Sequence, residues 1–75
     1  MKAYVLINVR AGKARDVVKK VQGISEAKGV HPCWGRPDIF TFVEVKDEKT
    51  LAETVLARIQ AIDGVESTDT HIVIE

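Results

Sequence analysis

The chain has 75 residues, 45% hydrophobic and 29% charged, which fits one small globular domain and not a disordered segment. Eleven basic residues balance eleven acidic ones, so nothing in the charge favours binding to phosphate backbones. One cysteine excludes an internal disulfide, no apolar run is long enough to span a bilayer, and Met1-Lys2-Ala3-Tyr4 leads into a strand and not a signal peptide; a cytoplasmic protein is expected.

Residues 3–10 (AYVLINVR) are rich in β-branched residues and predict a first strand, broken by Ala11-Gly12. Ala14, Val17, Val18 and Val21 follow at i, i+3, i+4, i+7, one face of a helix that ends at Gly23 and Ser25. Residues 27–34 (AKGVHPCW) read as a second strand. Pro32 cannot donate to a ladder, which places that strand at an edge or at a bulge. Gly35-Arg36-Pro37-Asp38 is the densest turn signal in the chain, and residues 39–46 (IFTFVEVK) form a third strand. Asp47 or Thr50 caps a second helix with the apolar face Leu51, Val55, Ile59 and Ile62. Asp63-Gly64 stops it, and residues 65–74 (VESTDTHIVI) make the last strand.

A shift of 38 positions lays the chain on itself. Val5 falls on Val43, Ile7 on Val45, Ala14 on Ala52, Val17 on Val55, Val21 on Ile59, Gln22 on Gln60 and Ile24 on Ile62. Each half reads strand, helix, strand. Two such units predict an α+β, ferredoxin-like β-α-β-β-α-β sandwich as a single domain over residues 1–75, with no DNA-binding domain.

The strand faces differ. Residues 5, 7 and 9 and residues 41, 43 and 45, mostly Val and Ile, are expected under the helices. The other face carries Tyr4, Leu6, Phe40 and Phe42, joined by Ile72 or Val73. Two helices cover only one face of four strands, so this apolar surface predicts a face-to-face dimer.

Candidate chemistry is sparse. The Gly35–Asp38 segment is a plain hairpin loop on its own terms. Alternatively, backbone N–H groups beside Gly35 hold a carboxylate and Asp38 an ammonium, the two charges of an α-amino acid. Thr68 and Thr70 align two hydroxyls on one strand face, which strands also favour for packing alone. Trp34, the only tryptophan, reads first as interface or core packing. His31, Cys33 and His71 offer three metal-capable side chains, but without the paired spacing of a zinc site, so no metal is assigned. Gly12-Lys13 is not a phosphate loop, and no nucleophile has a base and an orienter; no catalytic residue or cofactor is assigned.

From Trp34 onward the chain resembles the effector-binding (RAM) module of the Lrp/AsnC transcription factors. The resembling features are Gly35-x-x-Asp38 before a strand, the amphipathic second helix, and the tail Ile62-Asp63-Gly64-Val65-Glu66-Ser67-Thr68-Asp69-Thr70-His71 with its apolar end. Pro37 departs from the aromatic residue many members carry. The resemblance implies sheet-to-sheet dimers that build octamer-like rings. It also implies a small amino acid or related metabolite in clefts between dimers, at Gly35, Asp38, Thr68 and Thr70, with Trp34 beside them. A full-length Lrp/AsnC-type regulator is an implied partner; direct nucleic-acid or membrane binding is not. Two alternatives stand beside this reading. One is a ligand-free interaction module. The other is a small dimeric ferredoxin-like enzyme of the monooxygenase kind, with His31 or His71 as base.

Overall fold

The computed structural model describes residues 1–74. Its elements are β1 (Lys2–Val9), α1 (Ala14–Gln22), β2 (Ala27–Pro32), β3 (Ile39–Glu44), α2 (Glu48–Glu53), a π-helical segment (Thr54–Ile59) and β4 (Val65–Ile72). The strands form one antiparallel sheet in the order β2-β3-β1-β4. Two β-α-β units interleave, with β1 and β3 central. This is the ferredoxin-like sandwich that the internal repeat implies.

The core follows from strand alternation. Ala3, Val5, Ile7 and Val9 of β1 and Ile39, Thr41 and Val43 of β3 all point beneath the helices and are buried, together with Val45 just beyond β3. Val17 and Val21 of α1 and Leu51, Val55 and Ile59 of the second helix close on them. At ~25 cal/mol per Å² of apolar surface, this layer is the main source of stability in so short a chain. Thr41 is the one polar strand residue in it, and its Oγ1 is buried without a partner.

The second helix begins where Asp47 accepts the Thr50 N–H at 2.8 Å, so Asp47 is the cap and Thr50 its donor. Its apolar residues recur every fourth position, a spacing that drifts around a regular α-helix. A turn with wider i→i+5 bonding, Gln60 N–H to Val55 C=O at 2.8 Å, lets Val55 and Ile59 share the buried side. Thr54 Oγ1 bonds back to the Thr50 carbonyl at 2.8 Å on entry to that turn.

The strands are shorter than expected at several ends: β1 stops at Val9, β2 at Pro32, β3 at Glu44 and β4 at Ile72. Pro32 closes edge strand β2, and the β2–β3 register shifts between Ala27 and Gly29. Of the two residues that the last strand offers to the open face, Ile72 pairs with Ala3 and lies on the helical side, and alternation leaves Val73 on the open side. His31 and His71 do not neighbour each other, because β2 and β4 are opposite edges. Trp34 is in no core: it is fully exposed, at 103% relative accessibility.

Candidate ligand-binding site

Three loops meet at the C-terminal end of β1. The β1–α1 loop and the loop before β4 are locked first. Gly64, at φ +103°, holds a conformation that side chains resist, and a Cβ there would stand 2.8 Å from Lys13 Cβ. This close approach lets the Gly64 carbonyl accept the Arg10 N–H at 2.8 Å. Asp63 beside it pairs with Arg10 (3.1 Å) and Lys13 (3.4 Å). Hydrogen bonds from Arg10 and then Lys13 hold the Asp63 carboxyl below its ordinary range.

The β2–β3 loop is the third. Gly35 lies at φ +92° in open space, so backbone conformation and not crowding calls for glycine. The Cys33 N–H donates to the Asp38 carbonyl at 2.8 Å, and the Asp38 N–H to the Ile7 carbonyl at 3.0 Å. The Asp38 side chain is mostly buried. Its Oδ2 accepts the Val9 N–H at 2.9 Å and lies 3.7 Å from Arg36 Nη1. Arg36 Nη2 in turn donates to Glu66 at 3.2 Å. Asp38 thus joins the loop to the end of β1, and Arg36 joins it to β4. Asp63 and Glu66 stay exposed, at 75% and 47% of their side chains, and their ion pairs lie at the surface.

The β1–α1 loop, the β2–β3 loop and the start of α1 line an open cleft of about 620 Å³, within the size range of small-molecule sites. Arg10, Arg15 and Arg36 line it with Asp16 and Asp38, above Val9, Ala11, Gly12 and Ala14. The first helical N–H groups, at Ala14, Arg15 and Asp16, have no intrahelical acceptor. Both charge signs are therefore present, and among the described residues Arg15 has no ion-pair partner. A second groove, of about 650 Å³, runs between α1 and the end of β2 over Ala14, Val18, Pro32, Cys33 and Trp34, with Arg15, Lys19 and Gln22 along it.

The expected site residues are dispersed in one chain. Asp38 lines the first cleft and Trp34 the second groove. Thr68 and Thr70 pair with Ile7 and Val5 across the far side of β1. Both lie on the helical side, where Gln60 Nε2 donates to Thr68 Oγ1 at 2.8 Å. Arg10, Arg15 and Arg36 were not singled out from sequence. Their one local signal is that Arg10 directly precedes Ala11-Gly12 and Arg36 directly follows Gly35.

The open sheet face has the composition expected of it. Tyr4 and Phe42 rings lie 5.1 Å apart at 54°, Phe40 is opposite Leu6, and Tyr4 and Phe40 remain 48% and 39% exposed. His71 bonds Asp69 at 3.1 Å at one edge, and His31 pairs with Phe40 at the other. Among the described residues no group of three or more His, Cys, Asp or Glu is placed to hold a metal ion. No described helix is long and apolar enough to cross a membrane.

The sequence model of the Lrp/AsnC ligand binding domain matches residues 2–75. The chain belongs to that family. An uncharacterised HTH-type transcriptional regulator of Pyrococcus furiosus is 33% identical over 70 residues, 93% of this chain and 47% of the relative. The Lrp/AsnC domain here thus spans about half the length of the curated relatives it matches. Among solved structures, TTHA0845 from Thermus thermophilus superposes with a TM-score of 0.94 at 26% identity, covering 99% of this chain and 92% of that one. The transcriptional regulator NMB0573 of Neisseria meningitidis, solved as an L-Met complex, shares the fold with a TM-score of 0.88 at 20% identity, over 99% of this chain and 49% of that one.

Proposed function

We propose that this Lrp/AsnC ligand-binding domain senses a free amino acid. The observation that carries the reading is the cleft at the end of β1. There Arg15, without an ion-pair partner among the described residues, and the open N–H groups of α1 suit a carboxylate, and the Asp38 and Asp16 carboxylates suit an ammonium. Binding of L-Met by a protein of the same fold is consistent with it.

The sensing surface is shared between copies. Tyr4, Leu6, Phe40 and Phe42 drive face-to-face dimers, and the exposed β2–β3 loop brings Gly35 and Trp34 to a neighbour in a larger ring. Thr68 and Thr70, remote from Asp38 in one chain, enter the site from another copy. A ligand bound between copies favours the assembled state by mass action. A full-length regulator of the family, co-assembling with this domain, is the partner that would read out such a shift.

A thermal-shift screen against each common amino acid at ~10 mM tests the reading. A millimolar ligand at ten times its dissociation constant adds about 1.4 kcal/mol, or roughly 4–10 °C in a domain this small. One or a few amino acids should give that shift, and Asp38→Asn should remove it. No shift with any amino acid would leave the ligand-free interaction module, which the exposed aromatic face favours independently.

A further inference from the structure

Both histidines of the chain lie on the open sheet face. On edge strand β2, Gly29 pairs with Phe42 and His31 with Phe40. On the opposite edge, His71 pairs with Tyr4 and Asp69 with Leu6. An imidazole therefore flanks the aromatic centre on each side.

The His31 ring is placed by a glycine. Gly29 is not among the glycines at positive φ, so backbone conformation does not call for it. A Cβ there would stand 3.4 Å from His31 Nε2 and 3.7 Å from Phe42 Cβ. The imidazole thus leans along the strand over Gly29, beside Phe42, and extends the aromatic face to the β2 edge. A charge on it would stand alone. Its neighbours on β3 are Phe40 and Phe42, and Glu44 beyond them stands opposite Lys2 in register. On β2 itself the Cys33 thiol donates to the His31 carbonyl at 3.6 Å and not to the ring. His71, by contrast, has the Asp69 carboxylate at 3.1 Å.

We infer that His31 makes the face-to-face dimer pH-dependent: the neutral imidazole belongs to the contact, and its protonation opposes it. This rests on the dimer reading above and adds a regulation to it. A second copy suits the face because the centre carries no charge, so the face meets itself without repulsion there. Four strands about 4.8 Å apart and about six residues long present roughly 400 Å² in projection. Two copies cover twice that before side-chain relief is counted, which approaches the size of a specific interface.

The sign follows from what a second copy brings. Two two-fold arrangements lay one such sheet on another. With the axis along the strands, β2 lies over the other copy's β4, and His31 meets the partner's Asp69 and the partner's His71. With the axis across the strands, β2 lies over β2, and His31 meets the partner's His31. In the second case two imidazolium groups repel. In the first, a protonated His71 of the same chain already holds the carboxylate, and a further imidazolium finds no free acid. Lys2 and Glu44, the other charged groups of the face, stand opposite each other. Either way a proton on His31 is desolvated without a counter-charge, so acid favours separated copies. An imidazole ordinarily changes charge between pH 5 and 8, where carboxyl groups ordinarily stay ionised.

Sedimentation equilibrium at pH 7.0, 6.0 and 5.5, at constant ionic strength and over a range of protein concentrations, gives the dimer dissociation constant. Circular dichroism of each sample shows whether the chain stays folded. The expected result is a dissociation constant at least about tenfold higher at pH 5.5 than at pH 7.0. His31→Gln changes an exposed position and keeps a neutral polar side chain. It should dimerise at pH 7.0 within about threefold of wild type and lose most of the pH dependence. Equal wild-type association at pH 7.0 and 5.5 would overturn the inference and leave the dimer standing. So would an undiminished fall in His31→Gln, which would assign the effect to other groups. Absence of dimers at pH 7.0 in concentrated protein would overturn the dimer reading and the inference together.

Discussion

Asp38 Oδ2 accepts the backbone N–H of Val9 at 2.9 Å, so one carboxylate both terminates β1 and faces the candidate cleft. The two roles separate by substitution. Asp38→Asn retains an acceptor oxygen for the Val9 N–H but loses the negative charge. Asp38→Ala orphans a part-buried N–H, which costs about 1–3 kcal/mol. Chemical denaturation should show Asp38→Asn within about 1 kcal/mol of wild type and Asp38→Ala lower by about 1–3 kcal/mol. Both should lose any amino-acid response.

The core and the site were unequally legible in the sequence. Burial imposes strict alternation, so Val5, Ile7, Val43 and Val45 declared their face, and the 38-residue repeat joined them into one sheet. Ile72, Val73 and Ile74 form an unbroken apolar run at an edge, where alternation gives no parity; only pairing with Ala3 fixes Ile72 on the helical side. The separation of His31 from His71 depends on strand order, a long-range property. The cleft is harder still. Arg10, Arg15 and Arg36 converge because Gly64 lets two loops touch and Asp38 ties down a third, and no local spacing encodes that meeting.

Thr41 offers a test of core bookkeeping. Its hydroxyl lies in the buried layer, between Val5 and Val30 in register, with no partner. Thr41→Val replaces that hydroxyl by a methyl group of similar size. The expected gain is about 1 kcal/mol, or roughly 4–8 °C in the melting midpoint. A loss of stability would show that the hydroxyl has a partner, such as water.

Acid should weaken the loop junction. Arg10 and then Lys13 lower the Asp63 carboxyl, and the Thr50 backbone N–H lowers that of Asp47. A carboxylate whose folded value is depressed stabilises fully above its unfolded value, about 3.9 for Asp, and loses that contribution as pH falls through the folded value. The melting midpoint should hold from pH 7 to about 5 with respect to these groups and decline below about 4. Asp63→Asn should make that decline shallower.

The aromatic sheet face predicts assembly. Phe40, opposite Leu6 on the central strands, would sit inside a sheet-to-sheet contact. Phe40→Glu should cost at least about 2 kcal/mol of association, roughly thirtyfold in the dimer dissociation constant. Sedimentation equilibrium compares the two proteins. The monomer should fold normally, because Phe40 contributes to no buried cluster. Unchanged association would place the interface elsewhere.

The central claim is that this domain holds a free amino acid, and equilibrium dialysis of the purified protein against a labelled mixture of all common amino acids tests it most directly. One or a few should be retained, up to one per chain, with retention lost in Asp38→Asn. Equal concentrations of every amino acid on both sides of the membrane, at protein and ligand near millimolar, would contradict it.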